Sequence, residues 1–249
     1  MNVLAIIPAR MGSSRFPGKP LAKINGIPMI QHVFERVNKS KSLNKVVVAT
    51  CDEEIFDFIH SIDGEAIMTS SSHERASDRC AEALALVEEK DNIRYDIIVM
   101  VQGDEPMTHP NMIEEALSPM LKDDSVLVVN LMSKIENNAE FQNPNCIKVV
   151  CDLEKNAIFF SRKPIPSNAF NTSPKNKQVC IIPFTRQFLL DYTKMSPTPL
   201  EVAESVDMMR VIENGFKVRM VKTNYNSHAV DSIEDIDIVE ALMRSSDFE

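Results

Sequence analysis

The amino-acid sequence predicts an α/β fold in which helices flank a mixed, mostly parallel sheet. Three unbroken apolar runs, at residues 2–8, 45–50 and 95–104, are typical of strands that are covered on both faces. Between these runs, apolar residues recur at three- and four-residue steps, which predicts helices at 29–40, 53–62 and 74–90. Strands that alternate with helices in this way indicate an open α/β sheet.

The second half of the chain continues the mixture of strands and helices. Strands are predicted at 126–132, 146–152, 157–162, 179–184 and 217–223, and helices at 187–194, 200–214 and 232–245. The segment 161–178 is rich in Pro, Ser and Asn, and loops of such length are usually functional. A chain of 249 residues can bury a sizeable core, and nothing in it requires a second full domain.

Composition excludes several classes of protein. The chain is 44% apolar and 25% charged, which is typical of a globular protein rather than a disordered one. No apolar run approaches the roughly 20 residues that cross a bilayer, and the start lacks the features of a signal peptide, so we expect a cytoplasmic protein without a membrane partner. The net charge of −9 argues against a nucleic-acid partner. An anionic substrate must therefore meet a local basic cluster.

The five cysteines are scattered along the chain and form no C-x-x-C pair. Their odd number and spacing argue against a disulfide framework and against a zinc site. We therefore expect reduced thiols that are mostly buried.

The densest basic cluster lies in the stretch "AIIPARMGSSRFPGKPL", residues 5–21, directly after the first predicted strand. Its loop carries Arg10, Arg15 and Lys19 together with two glycines and the hydroxyls of Ser13 and Ser14. It matches neither the P-loop pattern nor a dinucleotide-binding pattern, because Pro20 follows Lys19 and the glycines are six residues apart. Its cations and backbone N–H groups can nevertheless neutralise a triphosphate. The alternative is a loop whose cations are only solvated.

The motif "VQGDEP", residues 101–106, ends the third apolar strand. Gly103 lets a ligand approach the backbone, and a carboxylate at a strand end is a common Mg²⁺ ligand, with Asp104 nearest the strand. The alternative is that the acidic pair caps a helix that begins near Asn111.

Two further clusters could contribute to a site. In "AVDSIEDI", residues 229–236, Asp231 precedes a predicted helix and is a candidate second metal ligand. Alternatively, Asp231 or Ser232 is the N-cap and a following acidic residue completes a capping box. His73, Glu74, Asp78 and Arg79 lie at the start of the third helix, where an exposed helix end favours anions, although such a His is commonly a surface or capping residue.

Five motifs together resemble the 3-deoxy-manno-octulosonate (Kdo) cytidylyltransferase family over nearly the whole chain. They are "IIPARMGSSRFPGKPLAKINGIPMIQHVFERV", "VQGDEP", "NPNCIKVVCDLEKNAIFFSRKPIP", "SPTPLEVAESVDMMRVIENG" and "VDSIEDI". The resemblance implies a Rossmann-like nucleotide-diphospho-sugar transferase fold in one domain, residues 1–249, with a dimerisation and sugar-binding subregion at about 130–200. It also implies a homodimer that serves lipopolysaccharide or surface polysaccharide biosynthesis.

The reaction implied by this resemblance is attack by the C2 hydroxyl of a 2-keto sugar acid on the α-phosphate of CTP. The products are the CMP-sugar and pyrophosphate, and Mg²⁺ is the implied cofactor. Such a transfer depends on positioning and charge neutralisation more than on covalent catalysis.

The resemblance also assigns roles to individual residues. Arg10 and Lys19 would hold the triphosphate and stabilise the departing pyrophosphate, and Asp104 and Asp231 would hold Mg²⁺. Arg162 would pair with the sugar carboxylate, and Asp207 would bind sugar hydroxyls. The nucleotide-binding set would comprise Arg10, Ser13, Lys19, Ser77, Arg79 and Gln102.

Two departures from the family pattern concern the acceptor. Arg75 and Ala76 stand where the family has a small Ser-Gly pair, and a His and two tyrosines of the family are missing at 179–185. A pocket that loses polar partners binds hydroxyls less well, so we expect an altered acceptor. The acceptor alternatives are a modified Kdo, another ulosonate or a phosphonate; a non-catalytic nucleotide-binding homologue is the alternative to an enzyme.

Overall fold

The computed structural model describes residues 1–12, 16–167 and 174–245. The described residues form twelve strands, nine α-helices and a short 3₁₀ helix at Lys19–Leu21. In chain order the strands and α-helices are β1 Val3–Pro8, β2 Lys23–Ile24, β3 Ile27–Pro28, α1 Met29–Val37, β4 Lys45–Thr50, α2 Glu53–Ser61, β5 Ala66–Met68, α3 Ala76–Asp91, β6 Ile97–Val101, α4 Pro110–Leu117, β7 Val129–Lys134, α5 Asn138–Gln142, β8 Lys148–Cys151, β9 Ala157–Ser161, β10 Asn176–Val179, β11 Ile181–Thr185, α6 Arg186–Tyr192, α7 Pro199–Glu204, α8 Met208–Glu213, β12 Arg219–Lys222 and α9 Glu234–Met243.

The chain forms two compact units. The first contains Met1–Glu114 and Asn226–Glu249, and the second contains Glu115–Tyr225. The subregion predicted at 130–200 for dimerisation and sugar binding falls inside the second unit, and its role stays a prediction.

A parallel sheet forms the centre of the first unit, with the strand order β6-β1-β4-β5. Ile6 lies opposite Val47 of β4 on one side and Met100 of β6 on the other. Four consecutive residues of β1, Leu4 to Ile7, are fully buried, because helices cover both faces of such a sheet. The apolar runs therefore predicted the three main strands correctly.

The helices of the first unit bury one face each. The residues of α1 that are buried are Met29, Ile30, Val33, Phe34 and Val37, at the three- and four-residue steps seen in the sequence. The remaining face is polar or only half-buried, which suits a helix that lies on the outside of a sheet. Among the described residues, no helix combines the length and the apolar character that crossing a membrane requires.

The second unit contains a mostly antiparallel sheet with the order β12-β7-β10-β8-β9. Only β12 and β7 pair in parallel within it. The Ala157 N–H at the start of β9 donates to the Val218 carbonyl at 2.9 Å, and the Met220 N–H donates to the Lys155 carbonyl at 2.8 Å. These bonds join the two outer strands, so the sheet curls back on itself.

Two predicted elements are each divided in the structure, and some short elements were not predicted. The helix predicted at 200–214 is two helices, because Ser205 has a φ of 52° and ends α7. The strand predicted at 179–184 is divided between β10 and β11 at Cys180. Short elements such as β5 and α5 were not predicted, because they carry too few residues for a periodic pattern.

A buried ion pair fixes the α7–α8 corner of the second unit. Arg210 donates through Nη2 and Nε to the two carboxylate oxygens of Glu201, at 2.6 and 2.7 Å, and both side chains are almost fully buried. These hydrogen bonds raise the pKa of Arg210 despite its burial. Tyr192 lies against the guanidinium, 4.9 Å from ring centre to Cζ. Glu201 is the last residue of the motif "SPTPLE", so this ion pair connects the motif to Arg210, nine residues later.

The five cysteines are all free thiols, as predicted. The prediction that they are mostly buried was wrong, since only Cys80 is buried and the other four are half-buried. Burial of the thiol is the main reason that the pKa of Cys151 rises to about 11.

An ion cluster at the start of β4 stabilises the first unit. Lys45 Nζ contacts both carboxylate oxygens of Asp91 at 2.8 and 2.7 Å and Glu65 at 2.9 Å. The hydrogen bond from Lys45 is the main cause of the lowered pKa of Asp91. Burial would raise the pKa of Glu65, but hydrogen bonds from Lys90 and Lys45 outweigh it and lower that pKa. The pKa of Lys45 is raised, because its bonds to Asp91 and Glu65 outweigh its own desolvation.

We expect Lys45→Met to lower the free energy of unfolding by about 1 to 3 kcal/mol at pH 7. The two carboxylates have lowered pKa values, so their contribution is present above the unfolded-state values of about 4 and is lost as the pH falls below them. The raised pKa of Lys45 keeps the cluster charged up to about pH 10. Urea unfolding of the wild type and the variant at pH 7 and pH 3.5 measures the difference, with the exposed Lys39→Met as control. An equal loss at both pH values would contradict this account.

Candidate active site

The opening loop is held at both of its described ends. The Met11 N–H donates to the Asp52 carboxylate at 2.8 Å, directly beyond β4. The Gly18 N–H donates to the Met11 carbonyl at 3.1 Å, and Gly18 has a φ of 74°, which favours glycine. The chain then enters the 3₁₀ helix that carries Lys19. Ser13 and Arg15 lie outside the described residues, so their predicted roles stay predictions.

Lys19 joins three segments of the first unit. Its Nζ donates to Asp104 Oδ2 at 2.7 Å and to the Val230 carbonyl at 2.9 Å. The Val230 N–H donates in turn to the Asp104 carbonyl at 3.0 Å. The Asp104 carboxylate therefore contacts Lys19. These contacts do not support the alternative in which Asp104 caps the helix that follows. The structure brings together the predicted phosphate-binding cation and the segments of both predicted metal ligands.

Asp231 follows Val230 and precedes α9. Its N–H donates to Asp235 Oδ2 at 2.9 Å, and the Ser232 N–H donates to the same oxygen at 2.8 Å. Burial would raise the pKa of Asp235, but the hydrogen bond to His228 and these backbone donors outweigh it and lower the pKa to about 2. The Asp235 carboxylate therefore holds the backbone just before α9. The N-cap of α9 is Ile233 and no side chain caps it, so the alternative in which Asp231 or Ser232 is the N-cap was wrong.

A cleft of about 300 Å³ opens beyond the carboxyl ends of β1 and β6. In an open α/β sheet this is where ligands bind. Among the residues that the structure describes, four cations line it, and they outnumber its two carboxylates. The charged lining residues are Arg10, Lys19, Arg75, Arg79, Glu74 and Asp104. Gln102 and Gly103 also line it. The chain is acidic overall, so this local excess of positive charge identifies a site for an anionic ligand.

The walls of the cleft are fixed by contacts behind them. Arg79 is only 3% exposed, and its guanidinium donates to the Thr69 hydroxyl and, at 3.4 Å, to Cys51 Sγ. Arg10 Nη1 lies 3.4 Å from the His73 carbonyl oxygen. His73 is one of the lining residues, and its side chain is hydrogen-bonded to Glu82.

Four of the predicted site residues that the structure describes are not among those that line the cleft. Asp231 is one of them, although the carbonyl of its neighbour Val230 accepts from Lys19. Ser77 is fully buried and does not line the cleft, although its neighbour Ala76 does. Arg162 and Asp207 belong to the second unit. Arg162 donates there to the backbone carbonyls of Glu204, Pro144 and Ser205 at 2.6, 3.0 and 3.3 Å. Asp207 precedes α8, and its carbonyl accepts the Tyr192 hydroxyl at 3.1 Å.

Positions 179–185, where the family's His and tyrosines are missing, belong to the core of the second unit. Val179, Pro183 and Phe184 are buried. Thr185 accepts the Phe188 N–H at 3.4 Å and caps α6. The expectation that these changes alter the acceptor stays a prediction.

Sequence reasoning missed Asp52, which holds the opening loop. Asp52 directly follows the strand at 45–50, and the same signal, an acidic residue at a strand's carboxyl end, had pointed to Asp104. It also missed Arg75 as a lining cation, which was noticed only as a departure from the family pattern.

An open parallel sheet with a cation-lined cleft at its strand ends defines an α/β protein that binds an anionic ligand there. A family model described as Cytidylyltransferase matches residues 4–237. The 3-deoxy-manno-octulosonate cytidylyltransferase of Geobacter metallireducens is 44% identical over 98% of this chain and 99% of its own. The enzyme of that name from Geotalea daltonii is 43% identical over 96% of this chain and 97% of its own.

A solved structure agrees with these relatives. The structure of CMP:2-keto-3-deoxy-manno-octonic acid synthetase complexed with CTP matches with a TM-score of 0.86 and 36% identity, over 98% of both chains. The chain therefore belongs to the cytidylyltransferase family, in its 3-deoxy-manno-octulosonate branch, and is a nucleotidyltransferase. The family resemblance and the fold predicted from the sequence are confirmed.

Gly103 permits the close packing beneath the cleft. A Cβ at this position would lie 3.0 Å from the Pro8 carbonyl oxygen and 3.3 Å from Ile30 Cδ1. We expect Gly103→Ala to lower the free energy of unfolding by about 1 to 3 kcal/mol and to reduce turnover, because the strand end that carries Asp104 must shift. Gly12→Ala is the matched control for unfolding, since no described atom lies within 4 Å of its Cβ position. Unchanged stability and turnover in Gly103→Ala would contradict this packing argument.

Proposed function

We propose that this chain transfers the cytidylyl group of CTP to the C2 hydroxyl of a Kdo-type sugar acid and releases pyrophosphate. The observation that carries the proposal is the cleft of the first unit, where four cations surround the strand ends and Lys19 joins the opening loop to Asp104. The names of the relatives and the CTP complex of the similar synthetase support the choice of nucleotide and acceptor.

The proposed chemistry needs positioning and charge neutralisation. A triphosphate in the cleft would meet Arg10, Lys19 and Arg79, whose N–H groups donate to phosphate oxygens. Negative charge grows on the leaving pyrophosphate during the transfer, and fixed cations stabilise that charge without reorganising. Because Arg79 is buried and doubly hydrogen-bonded, it is held in place before the ligand arrives.

The residues present fit a Mg²⁺ ion. The Val230 N–H to Asp104 carbonyl bond keeps the segments of Asp104 and Asp231 adjacent, and carboxylates plus phosphate oxygens are the donors that Mg²⁺ prefers. We propose that these two aspartates hold the ion, with Lys19 sharing the Asp104 carboxylate. Held by Asp104 and Asp231, a Mg²⁺ ion would supply positive charge that neutralises part of the negative charge of the triphosphate.

The proposed acceptor is Kdo or a close congener with altered polar groups. Arg75 adds a cation to the cleft where the family pattern is small and neutral, which favours a changed acceptor. Arg162 and Asp207 remain the proposed contacts for the sugar carboxylate and hydroxyls. Since Arg162 already donates to three carbonyls, a carboxylate would use its remaining N–H donors.

We further propose that the chain acts as a homodimer. The second unit exposes several large apolar side chains, including Leu153, Ile158 and Val202, at 104%, 55% and 63% exposure. Large contiguous apolar patches mark interfaces, and we propose that these side chains form part of one that a second copy covers.

The experiment that tests the proposal measures pyrophosphate release with CTP, UTP, ATP and GTP, each combined with Kdo, amino- and deoxy-Kdo, another ulosonate and a phosphonate. We expect turnover with CTP and a Kdo-type acid only, with a congener at least tenfold better than Kdo in kcat/KM. Removal of Mg²⁺ by EDTA should abolish it, and added Mg²⁺ should restore it. Preference for a phosphonate or another ulosonate would overturn the proposed acceptor. Preference for another NTP would overturn the proposed nucleotide. Absence of turnover in every combination would overturn the proposal that the chain is catalytic.

A further inference from the structure

A buried hydrogen bond connects the two loops that carry Asp104 and Asp231. The Ser227 hydroxyl donates to Glu105 Oε2 at 2.6 Å, between residues 122 positions apart. Glu105 is 3% exposed and Ser227 is 9% exposed. Glu105 immediately follows Asp104, and Ser227 comes four residues before Asp231.

This bond adds to two contacts between the same loops. On the cleft side, the Val230 N–H donates to the Asp104 carbonyl, and Lys19 contacts Asp104 and Val230. On the buried side, the Thr108 hydroxyl and N–H donate to the Glu105 carbonyl at 2.8 and 3.1 Å, which fixes the backbone of Glu105. The Glu105 side chain is therefore a fixed point to which the 226–231 segment attaches.

A buried carboxylate such as that of Glu105 needs hydrogen-bond donors to compensate its charge. Hydrogen bonds to an ionised acceptor are shorter and about twice as strong as neutral ones, and loss of a donor leaves buried charge uncompensated. Without the Ser227 hydroxyl, the 226–231 segment would lose its hydrogen bond to the Glu105 carboxylate. The Val230 N–H would still donate to the Asp104 carbonyl, and the Asp231 N–H would still donate to Asp235.

We propose that Glu105 and Ser227 are positioning residues that set the spacing of the Asp104 and Asp231 carboxylates, and so set the affinity for a divalent cation. The inference rests on the proposed function, in which those two aspartates hold the cation. Neither Glu105 nor Ser227 lines the cleft, so they act through the loops rather than by touching the substrate.

The chain offers a matched control elsewhere in the first unit. The Ser40 hydroxyl donates to Glu114 Oε1 at 2.7 Å, and Ser40 is 7% exposed. Ser40→Ala therefore removes a serine–glutamate bond of nearly the same length, away from the residues that line the cleft. Glu114 is half-buried and also accepts from the Ser42 N–H. Any general effect of losing a serine–glutamate bond appears in both variants.

The test is Mn²⁺ binding, followed through the electron paramagnetic resonance signal of free Mn²⁺ without acceptor. It is measured with the metal alone and with CTP, and the metal binding of CTP itself is subtracted. We expect Ser227→Ala to weaken Mn²⁺ binding about tenfold or more, as for other residues that orient metal ligands. Ser40→Ala should stay within twofold of the wild type. In turnover assays, Ser227→Ala should need more Mg²⁺ for half-activation, while kcat at saturating Mg²⁺ stays close to the wild type.

Ser227→Thr keeps the hydroxyl and should restore Mn²⁺ binding to within about threefold of the wild type. If Ser227→Ala does not fold, Ser227→Cys is used for the same Mn²⁺ measurement. This variant keeps about the same side-chain volume and replaces the hydroxyl with a weak hydrogen-bond donor. We expect Ser227→Cys to bind Mn²⁺ several-fold more weakly than the wild type. Mn²⁺ affinity in Ser227→Ala or Ser227→Cys equal to that of Ser40→Ala would overturn the positioning role.

Asp104→Asn and Asp231→Asn separate this failure from failure of the proposed metal site. Asn has nearly the same size as Asp and keeps an acceptor oxygen, so these variants remove the charge with little change in shape. If both aspartate variants lose Mn²⁺ binding but Ser227→Ala does not, only the positioning role is wrong. If both bind Mn²⁺ like the wild type, the metal site and the inference built on it are both wrong.

Discussion

The contact of the Lys19 ammonium with Asp104 and Val230 is the interaction on which the site depends. It joins the opening loop, the end of β6 and the segment before α9, which are far apart in the sequence. An ammonium at 14% exposure next to a carboxylate at 22% has given up much of its hydration, so each group needs the other. A phosphate ligand would enter next to an ion pair that is already formed.

The two units use their buried cations differently. In the first unit, Arg79 and Lys19 line a cleft, and the contacts behind them leave them facing it. In the second unit, Lys148 Nζ donates to the carbonyls of Asn143, Cys146 and Arg162 at 2.6 to 2.9 Å, and burial lowers the pKa of Lys148. The Arg162 guanidinium donates hydrogen bonds to a neighbouring set of backbone carbonyls. Cations of the second unit thus hold irregular backbone in place.

Much of the fold follows from local patterns in the sequence. The runs at 2–8 and 45–50 predicted strands correctly, because a strand covered on both faces must be apolar throughout. The helix predicted at 200–214 failed at Ser205, since a left-handed φ at a non-glycine residue leaves no mark in the hydrophobic pattern. Cys180 separates two strands within an apolar run for the same reason: periodicity does not report a change of strand.

The site was predictable as a set of segments but not as a set of contacts. Lys19, Asp104 and Asp231 were singled out because they follow predicted strands or precede a predicted helix, and because the family motifs contain them. The bond from Ser227 to Glu105 spans 122 residues, and neither residue type signals such a partner. Arg162 shows the opposite difficulty: its type and motif suggested a ligand contact, whereas the described contacts are to backbone carbonyls.

The most direct test of this account is the affinity for CTP of Lys19→Met, measured by calorimetry without acceptor, beside the exposed control Lys23→Met. Met keeps most of the side-chain volume and removes the charge that joins the three segments. The account predicts that Lys19→Met binds CTP at least tenfold more weakly, because a charge-assisted contact to phosphate and the anchor of Asp104 are both lost. Lys23→Met should bind CTP like the wild type. Equal affinities in Lys19→Met and the wild type would contradict the central role of Lys19.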